Sequence, residues 1–337
     1  MRVLATGATG RIGQHLVRAL TDAGHAVRAL VMPNDNKAAK LAANVEVVFG
    51  RLEEPASLGP AVDGVDAVFH LAGALTSRGC REEEFVRVNV QGTFRLLKAV
   101  RDQTRKPAHF VYASSDAVYF EKPDEDARYL PVDEDYPLMS GSVYGASKIG
   151  AEELCWSFSR GFGIPVTVLR FGATADAMEL VDPNSVFARW LFLRAAIAHT
   201  GATAAANGAQ SKTRAALKSL DTGGEQLVVY ADCDGNPEVR QWADARDIAA
   251  GCLRVLGAEV AVGKAFNMGG REPHCAEAFV DFLAARLELP HVKACIPTAR
   301  RPWFITSGMA ERLLGYEARY SVYDMVEDAI QMRETPV

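Results

Sequence analysis

Short apolar runs bounded by turns alternate along the first half of the chain with longer stretches in which apolar residues recur every three or four positions. Residues 3–5, 26–31, 45–49, 67–71, 109–113 and 165–169 carry the first pattern and read as strands, while 12–23, 83–101 and 144–160 carry the second and read as helices. Strands that are apolar on both faces and separated by helices predict a parallel sheet covered on both sides, a doubly wound α/β layout. Beyond residue 170 the rhythm breaks: an apolar helix-like run leads into 199–211, a stretch of Ala, Gly, Thr and Asn that reads as a loop. Strands follow at 226–230 and 264–268, with helices at 243–256 and 276–287. The expected organisation is therefore one sheet-based domain over 1–171, rejoined by 240–270, and a smaller mixed region built from 172–239 and 271–337.

Between the first strand and the first helix stands Gly7-Ala8-Thr9-Gly10-Arg11-Ile12-Gly13. Glycines at such a junction let backbone N–H groups and the helix dipole approach a pyrophosphate. Glycine also serves ordinary turns, so it is the position within an α/β pattern that points to a dinucleotide. Tyr144 and Lys148 lie four residues apart at the start of a helical segment and share a face. A nearby ammonium favours the phenolate and draws a phenol toward the pKa of a working base.

The glycine spacing, together with His70-Leu71-Ala72-Gly73, Asn89-Val90-Gln91-Gly92-Thr93 and Tyr144-Gly145-Ala146-Ser147-Lys148, resembles the extended short-chain dehydrogenase/reductase family, also called the NAD-dependent epimerase/dehydratase family. The resemblance covers residues 1–171 and reappears at 240–247 and 267–270. It implies a Rossmann fold with a C-terminal substrate-binding domain, and a homodimer that pairs 83–101 and 144–160 across a twofold. It implies catalysis by Ser115, Tyr144 and Lys148, the lysine also holding the nicotinamide ribose. Gly7, Gly10, Arg11, Ile12, Gly13, Arg51, Leu52, Leu71 and Ala72 would line the cofactor, and Ser115, Asp116 and Arg240 the substrate. His70 is expected beside the cofactor, and Ser114 in a structural role.

NAD and NADP both remain open. Val31 stands where an acidic residue would grip the ribose; Arg11 and Arg51 tilt the choice toward NADP by offering partners for a 2′-phosphate, unless they are surface residues and Asp35 serves the ribose instead. Two departures bear on the reaction. Asp116 is followed by Ala117 where sugar dehydratases carry an Asp-Glu pair, which disfavours dehydration, and Ala173 replaces an Asn usual in nucleotide-sugar enzymes. Against the second, Arg240 matches the family's diphosphate-binding arginine, a surface ion pair being its competing role. Phe187, Trp190 and Phe192 read as a lid or as core.

Composition narrows the rest. Of 337 residues, 49% are hydrophobic and 23% charged, and a net charge of −5 gives no basic surplus for a nucleic acid. No apolar stretch reaches the ~20 residues of a membrane span, the seven histidines show no metal-ligand cluster, and the six scattered cysteines fit reduced thiols in the cytoplasm. The expected function is oxidation of a secondary hydroxyl on a small molecule, with a sugar or nucleotide-sugar epimerase as the leading form. An NAD(P)H-dependent alcohol dehydrogenase or ketone reductase, and a non-catalytic dinucleotide sensor, are the alternatives.

Overall fold

The computed structural model describes residues 1–75, 80–120, 126–203 and 208–334, with backbone alone at 201–203. In chain order, β1 (Arg2–Thr6), α1 (Arg11–Asp22), β2 (Ala26–Val31), β3 (Glu46–Phe49), α2 (Pro55–Val62) and β4 (Ala67–His70) come first. A helical run follows, made of α3 (Glu82–Glu84), a π-helical stretch Phe85–Gly92 and α4 (Thr93–Arg101), and then β5 (His109–Ser115), α5 (Val143–Phe162) and β6 (Val166–Phe171). The second half holds β7 (Thr174–Ala175), α6 (Ala177–Val181), α7 (Leu193–Thr203), α8 (Gly208–Ser219), β8 (Leu227–Ala231), β9 (Val239–Arg240), β10 (Ala243–Asp244), α9 (Ala245–Val255) and β11 (Ala265–Met268). It closes with β12 (His274–Cys275), α10 (Ala276–Leu287), β13 (His291–Cys295), α11 (Gly308–Leu314) and α12 (Val322–Glu334).

Seven parallel strands form the central sheet in the order β11-β6-β5-β4-β1-β2-β3. The order reverses about β1, so the turn after β1 opens at the crevice where such sheets bind ligands. Alternate side chains feed two cores, as a pleated strand requires. Val3, Ala5, Val111 and Ala113 pack with Leu16, Val17 and Leu20 of α1 and Ile248 and Cys252 of α9. Leu4, Phe110 and Tyr112 pack on the opposite face with Leu58, Leu96, Leu97, Ala151 and Phe158. This is the doubly wound Rossmann sheet that the apolar runs predict.

The C-terminal part is mixed: β8 pairs β13 and β7 pairs β10 in parallel, while β9 pairs β12 antiparallel. A third core there gathers Phe187, Phe192, Leu227, Trp242, Phe279 and Met325. Phe187 and Phe192 are thus core residues, and Trp190 is half-buried against the same cluster. The stretch expected as a loop at 199–211 is instead largely helical, since α7 runs to Thr203 and α8 starts at Gly208; residues 204–207 lie outside the described residues. Leu193 and Ala196 on α7 and Leu217 on α8 bury against Val228 and Tyr230, and this burial outweighs the weak local helix signal of Gly and Thr. None of the described helices is long and apolar enough to cross a membrane.

Candidate functional site

The nucleotide end is built by close approach. Gly7 has φ +71°, and a Cβ there would stand 2.8 Å from Ala72 N; a Cβ on Gly13 would fall 2.0 Å from Gly7 O. The turn after β1 therefore packs directly on the turn after β4 and on the first turn of α1. Gly10 caps α1 without a side chain, so the first-turn N–H groups of Arg11, Ile12 and Gly13 are free of any side-chain cap. A cradle of bare backbone at a helix N-terminus fits a dinucleotide pyrophosphate.

Of the two arginines expected at a 2′-phosphate, Arg11 is committed elsewhere. Its guanidinium pairs with both oxygens of Glu179 on α6, with Nη2 at 2.8 Å from Oε1, and lies 5.3 Å from the Phe187 ring. Arg51 is on the surface, 3.8 Å from Glu54. Asp35 accepts hydrogen bonds from the Thr9 hydroxyl at 2.5 Å and from Lys37 N at 2.9 Å, which brings its carboxylate to the glycine-rich turn. Leu52 is buried against Gly92, and Leu71 and Ala72 are half-buried at the sheet edge.

His70 sits behind the turn rather than in a pocket. Thr93 gives its proton to Asn89 O (2.6 Å) and so receives Nε2–H of His70 (2.9 Å), while His70 Nδ1 accepts from Thr6 (2.8 Å), whose oxygen accepts from Ala72 N (3.2 Å). Both ring nitrogens are used by the neutral form, and burial, then Lys148, pushes the pKa to about 3.

At the chemical end, β5 delivers Ser115 and α5 delivers Tyr144 and Lys148. Ser142 caps α5 by accepting from Gly145 N at 3.1 Å. Gly145 lets the helix start press on the turn after β5: a Cβ there would lie 2.3 Å from Ala117 O and 2.0 Å from Ser140 Oγ. Ser115 Oγ donates to Asp116 Oδ1 at 3.1 Å and accepts from Ala117 N at 3.2 Å. Tyr144 packs edge-on against Phe85 of the π-helical stretch, ring centroids 5.7 Å apart. Lys148 is buried and donates to Ala113 O at 2.8 Å, with Nζ 3.5 Å from where a Gly73 Cβ would stand. The three residues and the glycine-rich turn therefore share one edge of the sheet.

The expected activation of the phenol by the amine is not present in this state. Burial, and then Asp116, push the Tyr144 pKa up to about 12 against a lowering contribution from Ser115. Burial likewise draws Lys148 down to about 8, partly countered by Glu152. The ammonium spends its short contact on the Ala113 carbonyl, so its field on the phenol is outweighed by desolvation.

A buried network holds these elements together. Arg170 on β6 pairs with Glu152, one turn after Lys148, at 3.1 and 2.8 Å, and donates to Tyr119 OH at 2.8 Å, which in turn donates to Asn267 Oδ1 at 2.8 Å. Ser114 donates to the same Glu152, the structural role expected of it. Asn89 bridges Ala74 and Ser147, donating to Ser147 Oγ at 3.0 Å.

On the substrate side, Arg240 is not a surface residue: its guanidinium is mostly buried, pairs with the buried Glu238, and lies 5.5 and 5.8 Å from the Tyr230 and Trp242 rings. Asp116 is half-buried, and desolvation raises its pKa to about 6 against lowering by Ser115 and Arg300.

Residues 3–175 match the model of the NAD dependent epimerase/dehydratase family. The chain belongs to that family. A relative in Stigmatella aurantiaca, 4-hydroxy-2-methyl-3-oxo-4-farnesyl-3,4-dihydroquinoline-1-oxide ketoreductase, is 30% identical over 95% of this chain and 92% of its own length. Another, the uncharacterized UDP-glucose epimerase YtcB of Bacillus subtilis, is 27% identical over 98% and 97%. Among solved structures, a short-chain dehydrogenase/reductase superfamily protein of Agrobacterium tumefaciens with bound NAD is 32% identical, with a TM-score of 0.88 over 99% of this chain and 97% of that one. This member of the epimerase/dehydratase family is an NAD-dependent enzyme of the extended short-chain type.

Some site residues escaped the sequence reading. Glu152 follows Lys148 at helical spacing, a signal that was available; Arg170 is strand-borne, and only the fold sets it opposite Glu152. Arg189, Glu238, Arg300 and Trp303 lie far apart in sequence and meet only in space.

Proposed function

We propose that this enzyme oxidises a secondary carbinol of a sugar-type substrate with NAD and returns the hydride, so that epimerisation is the net reaction. The observation that carries the reading is the convergence of Ser115, Tyr144 and Lys148 on the sheet edge that also bears the bare-backbone turn. Bound there, the oxidised dinucleotide supplies a hydride acceptor and a positive charge. Gly7, Gly10, Ile12 and Gly13 hold its pyrophosphate, and Lys148 its nicotinamide ribose. Ser115 hydrogen-bonds the substrate oxygen, and Tyr144 takes the hydroxyl proton during oxidation and returns it after reduction. Since Tyr144 begins as a neutral phenol, Lys148 and the added positive charge must together lower its pKa once the complex forms.

Asp35 beside Thr9, with Arg11 engaged by Glu179, supports NAD over NADP, because a carboxylate near the ribose repels a 2′-phosphate. The regions 172–239 and 271–337 form the substrate side. Apolar side chains exposed along the helical run and α5, among them Val86, Phe94 and Phe162, support a homodimer through these helices. Six unpaired cysteines fit the cytoplasm. The likeness to a ketoreductase over almost the full length favours net ketone reduction as the second reading.

The test is Tyr144→Phe. Turnover should fall by roughly 10²–10⁴, while calorimetry shows NAD bound as tightly as in the native enzyme and NADP bound more weakly. Product without accumulating NADH supports epimerisation, and net NADH change supports the second reading. Unchanged biological activity with intact NAD binding would replace both with a dinucleotide sensor.

A further inference from the structure

Three arginines from separate segments meet on the substrate side of Ser115. Glu238 joins two of them: Oε2 pairs with the Arg240 guanidinium, and Oε1 accepts from Arg300 N at 2.6 Å. Tyr230 joins the third, donating to Arg189 O at 2.9 Å while its ring faces Arg240. The Arg189 guanidinium lies 4.1 Å from the Trp190 ring, and its Nε is buried with no hydrogen-bond partner. The Arg300 side chain opens onto solvent and makes no hydrogen bond or ion pair among the described residues.

Guanidiniums do not lose their protons in proteins, so their charge has to be met by anions. Glu238 is already spent on Arg240. Burial and the neighbouring Arg300 draw Arg189 down to about 10, and burial and Arg240 draw Arg300 down as well, so each charge is held at a cost. The other carboxylate that offsets Arg300 is Asp116, which accepts from the Ser115 hydroxyl at 3.1 Å. Three guanidiniums against two carboxylates leave one positive charge, and that charge stands close to the reacting hydroxyl.

We propose that Arg300, with Arg189 behind it, receives a carboxylate on the substrate itself, so that the enzyme acts on a free hydroxy acid and not on a nucleotide diphosphate sugar. This rests on the oxidation at Ser115, Tyr144 and Lys148 proposed above. A single carboxylate matches the one uncompensated charge and pairs bidentately with a guanidinium. A diphosphate would meet Glu238 beside Arg240, a buried like charge that discriminates against it. Asp116, also anionic when ionised, orients Ser115 and holds Arg300 toward the same point.

The experiment is calorimetric titration of the NAD-saturated full chain with glucuronate, gluconate and malate as hydroxy acids, with glucose as a neutral match and with UDP-glucose. At least one hydroxy acid should bind at least 10-fold more tightly than glucose and UDP-glucose, and Arg300→Met should weaken it at least 10-fold while leaving NAD affinity unchanged. UDP-glucose binding more tightly than all three acids, no acid binding, or an acid affinity indifferent to Arg300→Met overturns the proposal. In each of those cases retained NAD affinity, and a turnover defect in Tyr144→Phe, keep the oxidation reading standing; loss of NAD binding in the native chain is the separate failure of that reading.

Discussion

Single side chains in this protein are tuned mainly by burial, and the effect is measurable at positions away from the site. His109 on β5 is buried, and its tautomer follows from its partners: Thr167 donates to Ala261 O at 2.8 Å and therefore accepts Nε2–H of His109 at 2.8 Å. Burial pushes its pKa to about 4. Between pH 6.5 and 4 the unfolded chain takes a proton on this group that the folded chain does not, so stability falls as pH drops through that window. The slope contributed is about 1.4 kcal/mol per pH unit. Chemical denaturation between pH 6 and 4.5 should show that much less pH dependence for His109→Gln than for the native chain; equal slopes would mean that the imidazole is not held neutral. The same desolvation explains why Tyr144 was read correctly as a member of the site and incorrectly as already activated. Spacing shows that a phenol and an amine share a helix face, but not that the amine is drawn to the Ala113 carbonyl or that Asp116 adds a like charge.

Among the elements, the junction between α5 and the turn after β5 is the one on which the chemistry depends. Gly145 allows it, since a Cβ would meet Ala117 O at 2.3 Å, a backbone atom that cannot swing away. Gly145→Ala should cost about 1–3 kcal/mol of stability through overpacking, and should lower turnover at least 10-fold with NAD affinity kept, because Tyr144 and Ser115 are carried on the two sides of the displaced contact. A thermal melt and a titration distinguish this from general unfolding; unimpaired turnover would show the contact to be slack. The glycine was visible in the motif, but its reason was not, because the atoms it avoids belong to segments distant in chain order or on the neighbouring turn. The helical run from Glu82 to Arg101 was legible from its periodicity, whereas its π-helical stretch was not: an extra residue in one turn leaves the apolar spacing nearly intact while rotating Asn89 toward Ser147. The helices α7 and α8 show the opposite case, weak local preference overruled by packing on β8 and β13.

For the whole molecule, the open prediction is assembly. Val86 and Phe94 on the helical run and Phe162 on α5 are each more than 40% exposed, on elements that already pack against one another. Light scattering after size exclusion should give twice the chain mass, and Val86→Glu with Phe94→Glu should reduce it to the chain mass; a native monomer would refute the dimer. The sequence by itself determined the sheet, its two covered faces and the edge that carries the glycine-rich turn, Ser115, Tyr144 and Lys148, because alternation, helical spacing and glycine at a strand-to-helix junction are local constraints. Only the tertiary structure decided what the remaining charged groups do. Arg11 is bound to Glu179, Arg240 to Glu238, and Arg300 stands uncompensated near Asp116, since a charge is defined by its neighbours in space and those neighbours lie tens to hundreds of residues away along the chain or, for Arg240, are fixed by burial.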